Sequence, residues 1–380
     1  MRIAQLANFI GPSSGGMKTA VAALGRGYVE AGAARLLVVP GPVDARESTA
    51  YGDVVQLRAP RVGGGYRLIV EPWRVTDVLE EFAPSSVELS DKLTLVPVTR
   101  WARRRGVGTV LFSHERLGDM FAERTGLDAS AHASVQLLNR ILVRSFDTVV
   151  VTSHYGQQEF QRVADAARCP MVRVPLGVDL ATFQPAASRP AYDRAHDRAH
   201  DRVLRLVHVG RLSREKAPHL AVATAVELHR RGVPLRLDVY GEGPHRDELV
   251  ALAGSAPVTF HGFVGDRSEL ARRISAADIA LSVCPTETFG LAVLEALACG
   301  TPVVTADRGG ARELVDPASG AWAAPTPGTL ADAVLELAGR AQQPLRAAAR
   351  HRAEQFAWST AVDRMLQVHA EVAGLARVSA

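Results

Sequence analysis

The sequence predicts an α/β protein built from two Rossmann-like domains, each with a parallel sheet, facing one another across a cleft. Three observations lead to this prediction: the chain has 380 residues, short apolar strands alternate with helical segments, and the alternation stops near residue 185 and resumes near residue 204. A chain of this length exceeds one ordinary core, so two domains are expected. Alternating strands and helices are typical of parallel sheets, which bind ligands at the carboxyl ends of their strands.

The first domain is predicted to span residues 1–185. It begins with a strand at Arg2–Ala7, followed by a glycine-rich turn and a helix from about Met17 to Ala31. Short apolar runs indicate the further strands, which are Arg35–Val39, Val54–Leu57, Ser86–Leu89, Thr109–Ser113, Thr148–Thr152 and Met171–Val174.

Residues 186–203 are expected to be a linker, because they contain a short charged repeat at 193–202. A solvated linker is one interpretation of this repeat, and a metal role for His196 and His200 is the other. Residues 204–355 predict a second domain with a helix near His219–Arg231 and strands at Leu204–Val209, Leu235–Tyr240, Val258–His261, Ile279–Val283 and Pro302–Thr305. Residues 356–380 predict a helix that packs back on the first domain.

The composition is that of an ordinary soluble globular protein, with 47% hydrophobic and 22% charged residues. No apolar run reaches transmembrane length, and the N-terminus reads as a strand rather than a signal peptide. The three cysteines lack metal-type spacing, which favours reduced core residues in a cytoplasmic protein. A net charge of +4 is too diffuse for a nucleic-acid groove and suits anionic substrates or an anionic membrane surface.

Two carboxylates lie eight residues apart at a predicted strand-to-helix junction. The helical periodicity that begins at Leu291 puts Glu287 on the loop and Glu295 about two turns into the helix. Free N–H groups at the start of this helix attract anions, and they belong to Phe289, Gly290 and Leu291. A carboxylate beside an anion site needs a different partner, and sugar hydroxyls are the natural one.

Arg211 and Lys216 follow directly after the predicted strand Leu204–Val209. They can converge on one anion from a loop and the start of the next helix. A diphosphate leaving group needs positive charge where bond breaking builds negative charge. A solvated capping loop is the alternative interpretation, but lysine is scarce in this chain, occurring at Lys18, Lys92 and Lys216.

The glycines at Gly15 and Gly16 allow a ligand to approach the backbone at the start of the first helix. The loop lacks the Walker lysine-serine ending and the G-x-G-x-x-G spacing, so neither ATP hydrolysis nor nicotinamide binding is supported. An ordinary turn is the alternative.

His114 follows a predicted strand and can hydrogen-bond the transferred sugar or its acceptor, although a lone histidine is often structural.

Two further segments carry candidate binding residues. The segment Phe260–Asp266 offers backbone groups, including those of Val264, to a planar base, and Asp266 can accept hydrogen bonds from guanine. Helix capping is the commoner role of such an aspartate. At the end of another predicted helix lie Arg103, Arg104 and Arg105, which either complement the helix dipole or contact lipid headgroups.

Together these motifs resemble the GT-B family of retaining glycosyltransferases, over nearly the whole chain. The resemblance is carried by G-R-L-x-x-E-K at Gly210–Lys216 and E-x7-E at Glu287–Glu295. It implies that Arg211 and Lys216 bind the donor diphosphate. It also implies contacts of Glu287 with the donor sugar, of Glu295 with the ribose hydroxyls and of His114 near the transferred sugar, and a mobile loop over the donor at Gly15 and Gly16.

Four shorter segments resemble the actinobacterial mannosyltransferases that act on phosphatidylinositol dimannoside. They are Ala4–Phe9, Gly64–Arg67, Leu89–Leu95 and Ser113–Leu117. This resemblance implies GDP-mannose as the donor and a membrane glycolipid as the acceptor, with Tyr66 and Arg67 on the acceptor side.

The expected activity is transfer of a hexose with retention of configuration by a same-face displacement. No Asp-x-Asp metal motif is apparent, so the chain is expected to need neither a cofactor nor a metal ion. We expect a cytoplasmic protein, peripheral on the inner face of the plasma membrane, with no nucleic-acid partner. The alternatives are a soluble specialised-metabolite acceptor, a non-catalytic accessory protein of the same fold, and a phosphorylase or epimerase.

Overall fold

The computed structural model describes residues 1–8, 10, 15–62, 66–116, 118, 128–186 and 203–379. The charged repeat at 193–202, part of the first glycine-rich loop and the glycines at 64 and 65 lie outside the described residues. The chain divides into two units. Unit 1 comprises Met1–Leu176 with Trp358–Ala380, and unit 2 comprises Gly177–Ala357.

Unit 1 is built on an eight-stranded sheet in the order β3-β4-β2-β1-β5-β6-β7-β8. Its strands are β1 (Arg2–Leu6), β2 (Ala34–Gly41), β3 (Ala45–Thr49), β4 (Gly52–Arg58), β5 (Ser86–Leu89), β6 (Gly108–Ser113), β7 (Thr148–Val151) and β8 (Met171–Arg173). All neighbours pair in parallel except the edge strand β3, which is antiparallel to β4. Every residue of β5, β6 and β7 is buried, as expected of central parallel strands covered on both faces.

The edge strand β3 was missed by sequence analysis. All five of its residues are exposed, so it has no apolar face that could reveal it as a strand. It pairs with β4 as a hairpin at the outer edge of the sheet, where polar residues discourage pairing with other chains.

The helices of unit 1 are α1 (Gly16–Glu30), α2 (Pro72–Phe82), α3 (Val98–Arg105), α4 (Asp128–Ser145), α5 (His154–Ala167) and α12 (Trp358–Ser379). The C-terminal helix α12 packs against α1 and β6. Among the described residues, no helix has both the length and the apolar character needed to cross a bilayer.

A buried polar network holds α12 on unit 1. His369 of α12 lies 3.2 Å through Nε2 from Glu88 Oε2, and its Nδ1 lies 2.9 Å from Ser86 Oγ. Tyr28 of α1 donates to the same Glu88 oxygen at 2.8 Å, and Gln5 of β1 donates to the other. Burial works to raise the pKa of Glu88, but His369, Tyr28 and Gln5 together lower it, so the carboxylate is ionised.

Unit 2 is built on a six-stranded, fully parallel sheet in the order β11-β10-β9-β12-β13-β14. Its strands are β9 (Leu204–Val209), β10 (Leu235–Tyr240), β11 (Val258–Gly262), β12 (Ile279–Ser282), β13 (Val303–Ala306) and β14 (Gly320–Ala323). Its helices are α6 (Pro218–Arg230), α7 (Arg246–Ala253), α8 (Arg267–Ser275), α9 (Leu291–Ala298), α10 (Pro327–Ala338) and α11 (Gln342–Glu354). The short strand β14 was not predicted. The predicted class of two parallel α/β units is confirmed.

The strand order of unit 2 reverses between β9 and β12, which pair through Leu206 and Ile279. The chain adds β10 and β11 on one side of β9, then crosses to add β12, β13 and β14 on the other. Such a reversal is a topological switch point, where the loops at the carboxyl ends of two adjacent strands diverge and leave room for a ligand. The loops that follow β9 and β12 carry the Arg211–Lys216 and Glu287 motifs.

Candidate functional site

The two motifs of unit 2 meet at the switch point. Lys216 Nζ donates to Glu287 Oε1 at 2.9 Å and to Oε2 at 2.8 Å, although the residues are 71 positions apart. The Lys216 side chain is 38% exposed and that of Glu287 is 17% exposed, so the pair faces solvent on the lysine side. A cation and a carboxylate therefore lie together at the point where the strand order of the sheet reverses.

The conformation of the loop after β9 places Lys216. It is the last residue of a 3-10 helix, Arg214–Lys216, and Ala217 follows with φ of 45°, in the left-handed region. This conformation is uncommon for a residue other than glycine. Because the backbone turns at Ala217, α6 begins at Pro218, two residues after Lys216.

Glu215 organises the same loop, and sequence analysis did not single it out. Its Oε1 accepts from Ser213 Oγ at 2.6 Å and lies 3.5 Å from a terminal nitrogen of Arg211. Burial works to raise its pKa, but the Ser213 hydrogen bond and the charges of Arg211 and Lys216 lower it overall. The Glu215 carboxylate is therefore ionised, and the charges of Arg211 and Lys216 both act on it.

A buried cysteine ties the two loops together. Cys284, just after β12, donates from Sγ to the Glu215 carbonyl oxygen at 3.2 Å. Burial and the nearby Glu287 charge raise its pKa to about 11, so the thiol keeps its proton and its role as donor. All three cysteines are unpaired thiols, and Cys299 is also buried.

The start of α9 shapes the backbone around Glu287. Gly290 precedes the helix with φ of 97°, Phe289 is buried, and Leu291 is the first helical residue. Gly310 N donates to the Glu287 carbonyl at 2.6 Å. At Gly309, which has φ of 90°, an added Cβ would lie 2.8 Å from the Pro285 carbonyl oxygen, so this close packing requires glycine.

Glu295 is the fifth residue of α9 and lies in its second turn. It is therefore closer to the start of the helix than the predicted distance of about two turns. Its carboxylate accepts from Arg267 at 2.5 Å. Burial raises the pKa of Glu295, and the Arg267 charge and hydrogen bond oppose that rise. Arg267 was not identified from the sequence, because no local pattern pairs it with a residue 28 positions away.

Asp266 is the N-cap of α8, which is the alternative role, and its contact with guanine stays a prediction. Its Oδ1 accepts from Ser268 N at 2.8 Å and Glu269 N at 3.3 Å. The carboxylate is thus engaged in satisfying the free amides of its own helix. Val264 lies half-buried on the loop between β11 and α8. On that loop Phe263 N donates to Glu242 Oε1 at 3.4 Å.

His114 of unit 1 lies at the carboxyl end of β6, as predicted. Its Nε2 is 3.1 Å from Ser90 Oγ, and its ring packs 4.2 Å from that of Phe112. Its pKa is lowered to about 4, mainly because burial disfavours the charged ring, with Glu88 opposing and Lys92 adding to the shift. The imidazole is therefore neutral near pH 7.

The glycines at the start of α1 are described only in part. The helix begins at Gly16, and Gly15 caps it with φ of −88°. A Cβ built on Gly15 would have no atom within 4 Å. The packing of unit 1 thus leaves space for a side chain at position 15. The other members of the predicted loop, residues 11–14, lie outside the described residues.

Tyr66 and Arg67 belong to a local turn of unit 1. Val62 N donates to the Tyr66 carbonyl at 2.9 Å, and Arg67 donates to the Ala59 carbonyl at 2.5 Å. The Arg67 guanidinium thus stabilises its own loop, a role that the sequence did not predict.

The arginine cluster forms the last turn of α3, which ends at Gly106 in the left-handed conformation. Arg105 pairs with Glu80 at 2.6 Å, and Arg103 donates to the Arg144 carbonyl at the end of α4 at 3.3 Å. Arg104 is exposed. The position of the cluster complements the helix dipole, and it lies beside the end of α4.

Across the part of the chain that the structure describes, no group of three or more His, Cys, Asp or Glu side chains is arranged to hold a metal ion. The predicted site residues thus fall into two sets. Unit 2 brings together Arg211, Lys216 and Glu287, with Glu295 one turn into α9. Unit 2 also holds Val264, Asp266 and Phe289–Leu291, whereas unit 1 holds Gly15, Gly16, His114, Tyr66, Arg67 and Arg103–Arg105.

Comparison with known proteins supplies the family. The family model described as "Glycosyl transferases group 1" matches residues 204–340, and the "Glycosyl transferase 4-like domain" matches residues 15–177. A relative from Mycobacterium tuberculosis strain ATCC 25177 / H37Ra is 41% identical over 96% of this chain and 95% of its own length. It is named a GDP-mannose-dependent alpha-(1-6)-phosphatidylinositol dimannoside mannosyltransferase.

Solved structures share the fold at lower identity. Sucrose-phosphate synthase from Thermosynechococcus elongatus superposes with a TM-score of 0.77 at 22% identity, covering 98% of both chains. The Anabaena protein HepE, solved with UDP and glucose, gives a TM-score of 0.73 at 17% identity, covering 98% of this chain and 99% of its own. These likenesses confirm the GT-B fold class predicted from the sequence.

Proposed function

The chain belongs to the group 1 glycosyltransferases, and from that premise we propose that it moves mannose from GDP-mannose to a phosphatidylinositol mannoside-type glycolipid. The observation that carries this proposal is the Lys216–Glu287 pair at the switch point of unit 2, beside Arg211. The name of the mycobacterial relative supports the choice of donor and acceptor, since that relative matches nearly the whole chain.

The donor is held through its charges and its hydroxyl groups. Arg211, Lys216 and the amides at the start of α9 stabilise the diphosphate, because cations and a helix N-terminus both favour negative charge. Glu287 accepts from hydroxyls of the transferred sugar, and Glu295 accepts from those of the ribose. The backbone of Gly15 and Gly16 approaches the donor from the start of α1, and that of Val264 contacts the base.

Transfer proceeds by same-face displacement, with retention of configuration. The acceptor hydroxyl oxygen bonds to the anomeric carbon on the face from which the diphosphate oxygen leaves with the bonding electron pair. The hydroxyl proton passes to the leaving phosphate oxygen. Lys216 and Arg211 stabilise the negative charge that develops on the diphosphate. His114, neutral near pH 7, hydrogen-bonds the transferred sugar.

We propose that the reaction needs neither a cofactor nor a metal ion. Two side-chain cations and the N-terminus of α9 supply positive charge at the diphosphate, which is the role a metal ion has in other transferases. Full transfer in the presence of excess EDTA is expected. Loss of transfer in EDTA, with recovery on adding Mg²⁺ or Mn²⁺, would contradict this.

A glycolipid acceptor implies that the protein is a peripheral cytoplasmic enzyme on the inner face of the plasma membrane. The support is a basic and apolar surface formed by the end of α3 and the outer face of α4. On α4, Leu137 and Ile141 are 60% and 48% exposed, next to the exposed Arg140 and Arg144. Arginines around aliphatic side chains suit a surface of anionic lipid.

Mass spectrometry of the products tests donor and acceptor together. The protein is incubated with a panel of GDP- and UDP-sugars, with and without phosphatidylinositol mannosides. The expected result is one added hexose on the glycolipid, and among the donors only GDP-mannose supplies it. Transfer only from UDP-sugars, or no transfer to the glycolipid from any donor, would reject the proposed substrates.

Sedimentation with vesicles tests the membrane arm. Binding to phosphatidylglycerol vesicles at low salt is expected, with little binding to phosphatidylcholine and weakening as salt is added. Arg103→Glu with Arg104→Glu should reduce binding, whereas Arg272→Glu, on an exposed face of unit 2, serves as the matched control. Equal binding by both variants would refute the assigned surface.

A further inference from the structure

Glu295 carries a buried carboxylate whose charged partner is Arg267. The Glu295 side chain is only 7% exposed, and Arg267 donates to its Oε1 at 2.5 Å. This bond uses one carboxylate oxygen, so Oε2 keeps its lone pairs for other donors. A charge buried this deeply is costly unless it is paired and hydrogen-bonded.

Arg267 is itself held from its other side. It is the first residue of α8, directly after the Asp266 cap. Its guanidinium stacks on the ring of Phe183, 4.7 Å from the centroid, and Phe183 is fully buried. Arg350 of α11 donates to the Phe183 carbonyl at 2.9 Å and to the Ala298 carbonyl at 3.0 Å, which ties Phe183 to the end of α9.

We propose that Arg267 is a positioning residue for the donor nucleotide: it orients the Glu295 carboxylate so that Oε2 faces the ribose hydroxyls. This rests on the proposed function, in which Glu295 binds the ribose. Arg267 acts through Glu295 and is itself clamped between that carboxylate and the Phe183 ring. The ribose contact thereby depends on the packing of α8, α9 and the segment that contains Phe183.

Breaking the Arg267–Glu295 pair makes the ribose contact depend on pH. Burial raises the pKa of Glu295 and Arg267 opposes this, so removing Arg267 raises the pKa further. Other charged groups lie on the elements packed around α9, among them the exposed His351 of α11. Cys299, which directly follows α9, has a pKa raised to about 12 by burial, and the nearby cations are Arg346 and Arg350 of α11 and Arg312 beyond β13.

The experiment measures nucleotide binding by calorimetry with GDP and with 2′-deoxy- and 3′-deoxy-GDP, between pH 6 and 8.5. The variants are Arg267→Met, which keeps the length of the side chain without its charge, Arg267→Lys, Glu295→Gln and the control Arg272→Met. Arg272 lies on the same helix and pairs with Glu269 at the surface. Thermal unfolding of each variant verifies that it is folded.

For Arg267→Met we expect GDP binding about 10-fold weaker near neutral pH, on the scale of one charge-assisted hydrogen bond. Its preference for GDP over the deoxy analogues should shrink, and its affinity should recover as pH rises and Glu295 ionises. Arg267→Lys should restore part of the preference, and Arg272→Met should bind as the unmodified protein does.

Two results would overturn the proposal in different ways. If Glu295→Gln loses the preference for the ribose hydroxyls while Arg267→Met keeps it at every pH, Glu295 binds the ribose without help from Arg267. If Glu295→Gln also keeps the preference, the ribose assignment itself is wrong, and the positioning role falls with it.

Discussion

Lys216 Nζ donates to both carboxylate oxygens of Glu287, at 2.9 and 2.8 Å, across the switch point of the second sheet. The sequence assigned these two residues to different parts of the donor, the diphosphate and the sugar. Their pairing means that each one sets the position of the other. A donor whose phosphate and sugar are adjacent fits such a pair, because both groups can be contacted from one place.

Lys216→Ala and Glu287→Ala should each reduce kcat by about 100-fold or more, since each removes a polar group from the site of charge development. Their effect on the free energy of unfolding should be small, about 0–1 kcal/mol, because the pair is partly exposed to solvent. Steady-state kinetics and thermal unfolding measure the two effects. Arg214→Ala, an exposed neighbour in the same 3-10 helix, is the matched control. Near-normal turnover in either site variant would reject the assigned site.

Gly15→Ala should leave the stability of the protein almost unchanged. An added Cβ meets no atom within 4 Å, so the substitution disturbs no packing contact. The KM for the donor should nevertheless rise several-fold, because a methyl group blocks close approach of the donor to the backbone. Donor titrations and thermal melts separate the two effects. An unchanged KM would show that Gly15 is an ordinary turn residue.

Gly309→Ala should behave in the opposite way. With φ of 90° and the Pro285 carbonyl 2.8 Å from the added Cβ, the substitution strains the loop that carries Glu287. A loss of stability of about 1–3 kcal/mol is expected from the strained backbone, together with lower kcat. Chemical denaturation measures the loss. Gly328→Ala, where the nearest atom is an arginine nitrogen at 3.8 Å, is the comparison, and equal stability of the two variants would contradict the argument.

His114 should not titrate near its usual value. Its folded-state pKa of about 4 lies below the value of about 6.5 expected in the unfolded chain, so the unfolded state binds more protons between these values. The stability contributed by the neutral ring is present above pH 6.5 and declines as pH falls toward 4. NMR titration of the His114 ring, assigned with His114→Asn, measures the pKa directly. A midpoint near 6.5 would refute the shift.

His369→Ala should destabilise unit 1 by about 3 kcal/mol, because it removes a hydrogen-bond partner from the buried Glu88 carboxylate. The double variant with Glu88→Gln should recover part of that loss, since it removes the unpaired charge. Denaturant unfolding of the single and double variants measures the coupling. Arg364→Ala, exposed on the same helix, is the control, and a loss no larger than the control's would mean that the network does not hold α12.

Much of the fold followed from local pattern. Apolar residues recur at short spacing in β1, β5, β9 and β10, so these strands were located within a residue or two of their observed bounds. The misses have local reasons as well. The edge strand β3 is wholly exposed, and β14 consists of Gly, Ala and Trp without a β-branched residue.

The sequence by itself determined that Arg211, Lys216, Glu287 and His114 follow strands, because the apolar runs end immediately before them. Only the tertiary structure decided which of them meet. Lys216 contacts Glu287 because β9 and β12 are neighbours in the sheet, and Glu295 contacts Arg267 because α8 packs beside α9. Strand order and helix packing depend on burial of apolar surface between segments that are far apart in the chain. The residues beside a contact therefore do not indicate which partner they will meet.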